Sequence, residues 1–98
     1  MKLTKPSTAG TMESNDILIS LQPASSGGIQ IKLESNVLQQ YGRQIRSVIQ
    51  DTLTSLGVKH ARVDAVDKGA LDCTIRARVA AAAYRAAGSE DYKWEAKA

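Results

Sequence analysis

The most constraining feature of the sequence is a change in the spacing of its apolar residues after Ser35. From there to Gly57 they recur at intervals of three and four, the period of one face of an α-helix. Ser35 or Asn36 offers an N-cap oxygen, and Gly57 can adopt the left-handed conformation that ends a helix. We therefore predict a long amphipathic helix whose buried residues are Leu38, Ile45, Ile49, Leu53 and Leu56.

Shorter segments on either side of this helix alternate apolar and polar residues, the period of a half-buried strand. Two such strands precede the helix, and the loop "PASSGG" between them predicts an antiparallel hairpin with a longer connection. A third strand follows the helix and ends at "DKG", residues 67–69. The inward positions of the three strands are Ile17, Ile19 and Leu21, then Ile29, Ile31 and Leu33, then Ala61, Val63 and Ala65.

The segment from Leu71 to Ala86 fits two periods. Leu71, Cys73 and Ile75 begin an alternation that continues to Val79, whereas a helical stripe extends into the alanine-rich end. We predict a helix, because alanine has the highest helix propensity and Gly88 supplies a stop. A strand from Leu71 to Val79 followed by a shorter helix is the alternative.

The order of elements predicts an α+β domain, β-β-α-β-α, with two helices packed on one face of a small three-stranded sheet. The sequence does not give the order of strands in that sheet. We expect residues 1–15 to be a flexible N-terminal segment, residues 16–88 to be the folded domain, and residues 89–98 to be a tail. If the strands before and after the long helix are parallel, their crossover is right-handed.

Few residues in the chain are suited to catalysis. Its single histidine, His60, lies at a turn without a partnering cysteine or carboxylate pair, so we expect an exposed or capping role. The single cysteine, Cys73, is expected to be a small buried residue, and it cannot form an internal disulfide or a cysteine-based metal site. Arg76 and Arg78 are expected to be solvated, and Trp94 either covers the core edge or anchors a partner. Catalytic and metal-binding residues are therefore not predicted.

Charge and hydropathy restrict the partners. The net charge is +3, but the arginines are dispersed and aromatic residues make up only 4% of the chain. Nucleic-acid binders usually carry a denser basic patch or stacking aromatics, so Arg43, Arg46, Arg76 and Arg85 are expected to serve protein docking instead. No apolar run approaches the roughly 20 residues that span a bilayer, and the N-terminus lacks a secretory signal pattern. We expect a cytoplasmic protein without membrane or nucleic-acid partners.

One hydroxyl remains to be explained, that of Ser14 in the stretch "AGTMESNDILISL". A loop serine is by itself uninformative. Together with "VDKGALDCTIRARV", residues 66–79, however, this stretch resembles the acyl carrier protein of citrate lyase, its gamma subunit. The resemblance covers nearly the whole chain. Asn15 stands where related sequences often have Ser or Gly, and it suits a turn equally well.

The resemblance implies that this chain is a non-catalytic carrier subunit. In that family the serine of the Gly-Thr-x-Glu-Ser segment, here Ser14, holds 2′-(5″-phosphoribosyl)-3′-dephospho-CoA through a phosphodiester. The thiol of that group carries acetyl and citryl groups during cleavage of citrate to oxaloacetate and acetate. The implied partners are the alpha (acyl transferase) and beta (citryl lyase) subunits, a prosthetic-group transferase and an acetylating ligase.

Two alternatives remain at this stage. A carrier subunit of a related decarboxylase would bear the same type of group with a different cargo. A small basic nucleic-acid-binding or regulatory module would bear no group at all, and its binding to polyanions would depend on salt.

Overall fold

The segments of period two form strands and those of helical period form helices in the computed structural model, which describes residues 1–88. The elements are β1 (Ser7–Ala9), β2 (Ile17–Pro23), β3 (Ile29–Ser35), α1 (Leu38–Ser55), β4 (Ala61–Asp67) and α2 (Asp72–Ala86). This arrangement confirms the predicted α+β class and the helical assignment of α2. Neither helix of the described chain is long and apolar enough to cross a membrane.

The sheet has the order β1-β2-β4-β3, so the predicted antiparallel hairpin of β2 and β3 is wrong. Strand β4 lies between them, antiparallel to β2 and parallel to β3. A loop as long as the one between β2 and β3 does not fix which strands pair, whereas the crossover through α1 brings β4 alongside β3. The inward residues Ala61 and Ala65 of this interior strand are small and buried.

Strand β1 is the fourth strand of a sheet for which three were predicted. Ser7 and Ala9 lie opposite Leu21 and Ile19 of β2, within the segment that we expected to be flexible. Before β1, the carbonyl oxygen of Ala86 accepts hydrogen bonds from the backbone of Thr4 and Lys5. Three residues are too few to show a period, so the sequence did not reveal this strand. The tail, with Trp94, lies outside the described residues.

The core lies between one face of the sheet and the two helices. From β2, β3 and β4 the inward residues of the predicted alternation are buried or half-buried, while the polar residues between them are mostly exposed. Helix α1 contributes Ile45, Ile49 and Leu53, and α2 contributes Ile75, Val79 and several alanines. The prediction that Leu38 is buried is wrong: this first residue of α1 is 43% exposed. Leu56 is half-buried against the core.

The two ends of α1 differ in how well the sequence predicts them. At the start, neither Ser35 nor Asn36 is the N-cap: Val37 occupies that position without a side-chain cap. At the other end Gly57 has a φ of +81°, as predicted. Its N–H donates to Thr54 and the Val58 N–H donates to Leu53, the hydrogen-bond pattern of a Schellman motif.

Replacing Ile49 with alanine tests this core. Ile49 is fully buried, so removing most of its side chain should lower the free energy of unfolding by about 2 to 5 kcal/mol, the usual cost of such a cavity. Urea denaturation measures the loss. The neighbouring Gln50→Ala is the control, because an exposed substitution should change stability by about 0.5 kcal/mol or less. Equal midpoints for Ile49→Ala and wild type would remove α1 from the core.

Candidate functional site

The loop between β1 and β2 presents Ser14 to solvent on a tight turn. The N–H of Asp16 donates to the carbonyl oxygen of Glu13 at 3.2 Å, which places Ser14 and Asn15 at the two central positions. Asn15 has a φ of +65° and is the only described non-glycine residue with positive φ. Asparagine tolerates this left-handed conformation better than most residues. The left-handed turn position therefore suits Asn15.

The Ser14 hydroxyl is exposed and forms no hydrogen bond with the described part of the chain. Some other serines use their hydroxyls in the fold: Ser7 Oγ donates to the Ala82 carbonyl oxygen at 2.6 Å, and Ser35 Oγ donates to Asp67 at 2.9 Å. Modification of Ser14 would therefore break no hydrogen bond within residues 1–88. This side chain is suited to carrying a covalent group.

An ion pair fixes the base of the loop. The Arg78 guanidinium donates Nε and Nη2 hydrogen bonds to the two carboxylate oxygens of Asp16, at 2.9 and 3.0 Å. Thr11 Oγ1 donates to the same carboxylate at 2.8 Å, and the Ile17 N–H donates at 2.7 Å. Arg78 is thus a partner of the loop, and our expectation of a solvated charge is wrong. The interaction connects two positions 62 residues apart.

These contacts lower the pKa of Asp16 to about 2, from a usual value of 3.8. The hydrogen bond from Arg78 is the largest cause, and burial opposes it. The hydrogen bonds from Thr11 and the Ile17 backbone lower the pKa further. Because the Arg78 side chain is 40% exposed, solvent screens part of this interaction. A pKa this low leaves the carboxylate ionised at neutral pH.

Gly10 allows the two ends of the loop to approach each other. Its φ is +96°, and a Cβ atom there would overlap the carbonyl oxygen of Ile17. Only glycine fits such a conformation and approach without displacing the backbone. The glycine of the "GTMES" stretch thus has a structural role in closing the loop.

The turn that carries Ser14 also contacts the loop between β4 and α2. The Asn15 N–H donates to Lys68 O at 2.8 Å, and the Lys68 N–H donates to Asp16 O at 2.9 Å. The buried Asp67 in turn accepts the N–H groups of Gly69 and Ala70 and the hydroxyl of Ser35. The "DKG" segment, predicted only as a stop, therefore organises the end of the sheet beside Ser14.

The other residues considered in the sequence do not join this site. His60 is exposed at the opposite end of β4, where its Nδ1 accepts the Gly28 N–H at 3.0 Å. This position agrees with the predicted exposed or capping role. Cys73 is exposed, and its predicted burial is wrong. It lies two residues before the buried Ile75, and residues at this spacing do not share a helix face.

Asp16, Arg78 and Thr11 were not predicted as site residues. Thr11 and Asp16 are polar residues five positions apart, just before an apolar strand, and this spacing is a weak signal for a hydrogen bond between them. No comparable signal marks Arg78, because the spacing of residues along a helix does not identify a partner on a distant loop.

Comparison with known proteins gives consistent matches. The family model of the malonate decarboxylase delta subunit, an acyl carrier protein, matches residues 4–86. The citrate lyase acyl carrier protein of Lacticaseibacillus casei is 56% identical over 95 residues, which cover 97% of this chain and 93% of that protein. The protein of the same name from Streptococcus mutans is 52% identical with the same coverage.

A solved structure shares the fold. One chain in the crystal structure of a Pseudomonas malonate decarboxylase hetero-tetramer in complex with malonate matches with a TM-score of 0.67. The match covers 87% of this chain and 91% of that chain, at 18% sequence identity. At this identity the likeness supports the fold alone.

The Asp16–Arg78 pair should make stability depend on acid pH. Because folding lowers the pKa of Asp16, the pair stabilises the fold fully above about pH 4, and this contribution disappears as the pH falls toward about 2. At neutral pH, Asp16→Asn should lower the free energy of unfolding by about 1 to 2 kcal/mol. The difference from wild type should shrink over the acid interval.

Urea denaturation at a series of pH values measures this difference. Asp64→Asn is the control, because Asp64 is exposed on the polar side of the sheet. A deficit for Asp16→Asn that stayed constant down to about pH 2 would contradict the stabilising role of the ionised carboxylate.

Proposed function

The chain belongs to the family of citrate lyase acyl carrier proteins and malonate decarboxylase delta subunits, and from this membership we propose that it is the acyl carrier subunit of a citrate lyase. Membership makes it an acyl carrier protein: a non-catalytic subunit with a covalently attached prosthetic group that works with partner subunits. The proposal adds the cargo, the identity of the group and its attachment to Ser14.

The sequence relatives favour citrate lyase over malonate decarboxylase. Several proteins named citrate lyase acyl carrier protein are 48 to 56% identical to this chain over 95 residues. The malonate decarboxylase chain of similar fold is 18% identical. The family model, however, has a malonate decarboxylase description, so a decarboxylase carrier is the second candidate. The two differ in acyl cargo and partners, and the fold of the carrier does not distinguish them.

The site of attachment is proposed from the geometry of the loop. We propose that Ser14 holds 2′-(5″-phosphoribosyl)-3′-dephospho-CoA through a phosphodiester. Exposure of its hydroxyl, without a hydrogen bond to the described residues, is the observation that carries this proposal. Such a group supplies a thiol at the end of a long arm, which binds acyl groups as thioesters. The residues around Ser14 would then hold and orient the arm.

The Asp16–Arg78 pair holds the loop that carries Ser14 in position. It connects the loop to α2, while Asn15 and Lys68 connect the turn to the end of β4. The hydroxyl thus projects from a fixed position on the folded domain. A transferase that attaches the group would meet the same loop conformation in every molecule, and the mobility needed to reach separate active sites would come from the arm.

We propose four partners: the alpha (acyl transferase) and beta (citryl lyase) subunits, the prosthetic-group transferase and the acetylating ligase. Arg43, Arg46, Arg76 and Arg85 are exposed and are proposed to contribute to docking. Arg46 and Arg85 each donate one guanidinium N–H to a backbone carbonyl oxygen at 2.7 Å, so their side chains are partly ordered before any partner binds.

Modification by the transferase tests the attachment site. Incubation with the prosthetic-group transferase and its activated precursor should add one group to the wild-type chain, on the peptide that contains Ser14. Ser14→Ala should gain none, and its stability should change by about 0.5 kcal/mol or less because the side chain is exposed. Intact mass followed by peptide mapping measures both outcomes.

Ser26→Ala is the matched control, since Ser26 is also exposed but lies in the loop between β2 and β3. It should be modified as fully as wild type. An adduct on Ser7, Ser20 or Cys73, or an adduct on Ser14→Ala, would contradict the assignment. Salt-sensitive binding of the unmodified chain to random oligonucleotides would favour the nucleic-acid alternative.

Reconstitution tests the cargo. The modified chain should restore citrate cleavage to alpha and beta subunits that lack their carrier, and Ser14→Ala should restore none, because no other described residue supplies a travelling thiol. The exposed Cys73 is attached directly to α2 and is too short to move between active sites. Oxaloacetate formation measures the activity. Restoration of malonate decarboxylation and not of citrate cleavage would favour the second candidate.

A further inference from the structure

A groove of about 520 Å³ opens between the first half of α1 and the loop that leads into α2. Its apolar walls include Val37, Ile45, Ala70 and two side chains that are well exposed: Tyr41 at 51% and Leu71 at 70%. Exposed aromatic and aliphatic side chains around a concave surface are typical of binding sites. Nothing in the function proposed above uses this groove.

We propose that the groove binds the adenine base of the prosthetic group on Ser14, an inference that rests on the function proposed above. The base would lie against the Tyr41 ring and the aliphatic wall, while the diphosphate and the thiol end of the arm remain in solvent. The groove would thus hold the near part of the arm and leave the reactive end free.

The chemistry of the lining fits a purine base. Stacking of a base on an aromatic ring needs one flat exposed ring, which Tyr41 provides. A hydrogen-bonding pair lies at the rim: Gln44 Nε2 donates to both oxygens of Asp72, at 3.2 and 3.0 Å. A carboxylate has about four acceptor sites. Asp72 can therefore accept a further hydrogen bond from an exocyclic amino group.

The charge of the lining argues against phosphate as the occupant. The lining residues of the groove include Asp67 and Asp72 but neither lysine nor arginine. An anionic diphosphate would meet like charge there, whereas adenine is neutral and presents an amino donor. The two aspartates of the lining therefore favour the adenine base of the prosthetic group over its phosphates.

The groove lies next to the turn that carries Ser14. Gly69 lines the groove, and a Cβ atom at Gly69 would lie 3.7 Å from the Asn15 side-chain oxygen. Asn15 also donates its N–H to Lys68, the residue before Gly69. In the proposed group, one phosphate and two ribose rings separate Ser14 from the adenine, which is the first base along the arm. A tether converts binding into an intramolecular event, so weak intrinsic affinity suffices.

NMR of the chain before and after modification tests the inference. In the modified wild-type chain the amides of Tyr41 and residues 69–72 should shift, and nuclear Overhauser effects should join adenine protons to the Tyr41 ring and the Leu71 methyls. Tyr41→Ala should abolish these effects and return the amide positions toward those of the unmodified chain. Tyr41→Phe, which keeps the ring, should preserve them.

Met12→Ala is the matched control: Met12 is 56% exposed, near Ser14, and not among the groove residues. It should leave the groove signals unchanged. Intact mass separates the two proposals. A chain modified on Ser14 without these shifts or contacts overturns the groove inference alone, whereas a chain that the transferase cannot modify overturns both. Concentration-dependent shifts of the same amides in the unmodified chain would assign the groove to a second copy and overturn the inference.

Discussion

The contact between Asp16 and Arg78 determines where the loop of Ser14 lies. It is the one ion pair among the described residues, and it connects the loop between β1 and β2 to the middle of α2. Its two parallel hydrogen bonds fix direction as well as distance, since the guanidinium is planar. The strand pairing of β1 with β2 fixes the two ends of the loop, and the ion pair fixes the position of the loop relative to α2.

This arrangement changes the physical description of the carrier. The sequence suggested a serine on a flexible segment, but the described chain places a strand before it and a network of hydrogen bonds around it. A proposed attachment point that is already ordered loses little entropy when a modifying enzyme or a partner binds. With Ser14 as that point, the motion between active sites would come from the proposed prosthetic group and not from the loop.

The sequence predicted those features that depend on local spacing. The apolar stripe located α1, the alternations located β2, β3 and β4, and alanine propensity separated helix from strand in α2. Local spacing does not predict which strands pair in the sheet. Strand β4 could pair with β2, with β3 or with both, and the packing of the whole chain determines which pairing forms. Arg78 was misjudged for the same reason: its partner lies 62 residues away. The Cys73 prediction failed because a cysteine is commonly, but not always, buried.

The two arginines that donate to backbone carbonyl oxygens protect the edges of the sheet from other chains. Strands β1 and β3 are the two edge strands of the described sheet. Arg85 of α2 donates to the carbonyl oxygen of Thr8 on one edge strand, and Arg46 of α1 donates to that of Ile31 on the other. An edge strand with unpaired backbone groups can pair with a strand of another chain, and a positive charge on the edge opposes such pairing. Each helix thus places one charged side chain on one edge strand, which disfavours the addition of a strand from another chain at either edge of the described sheet.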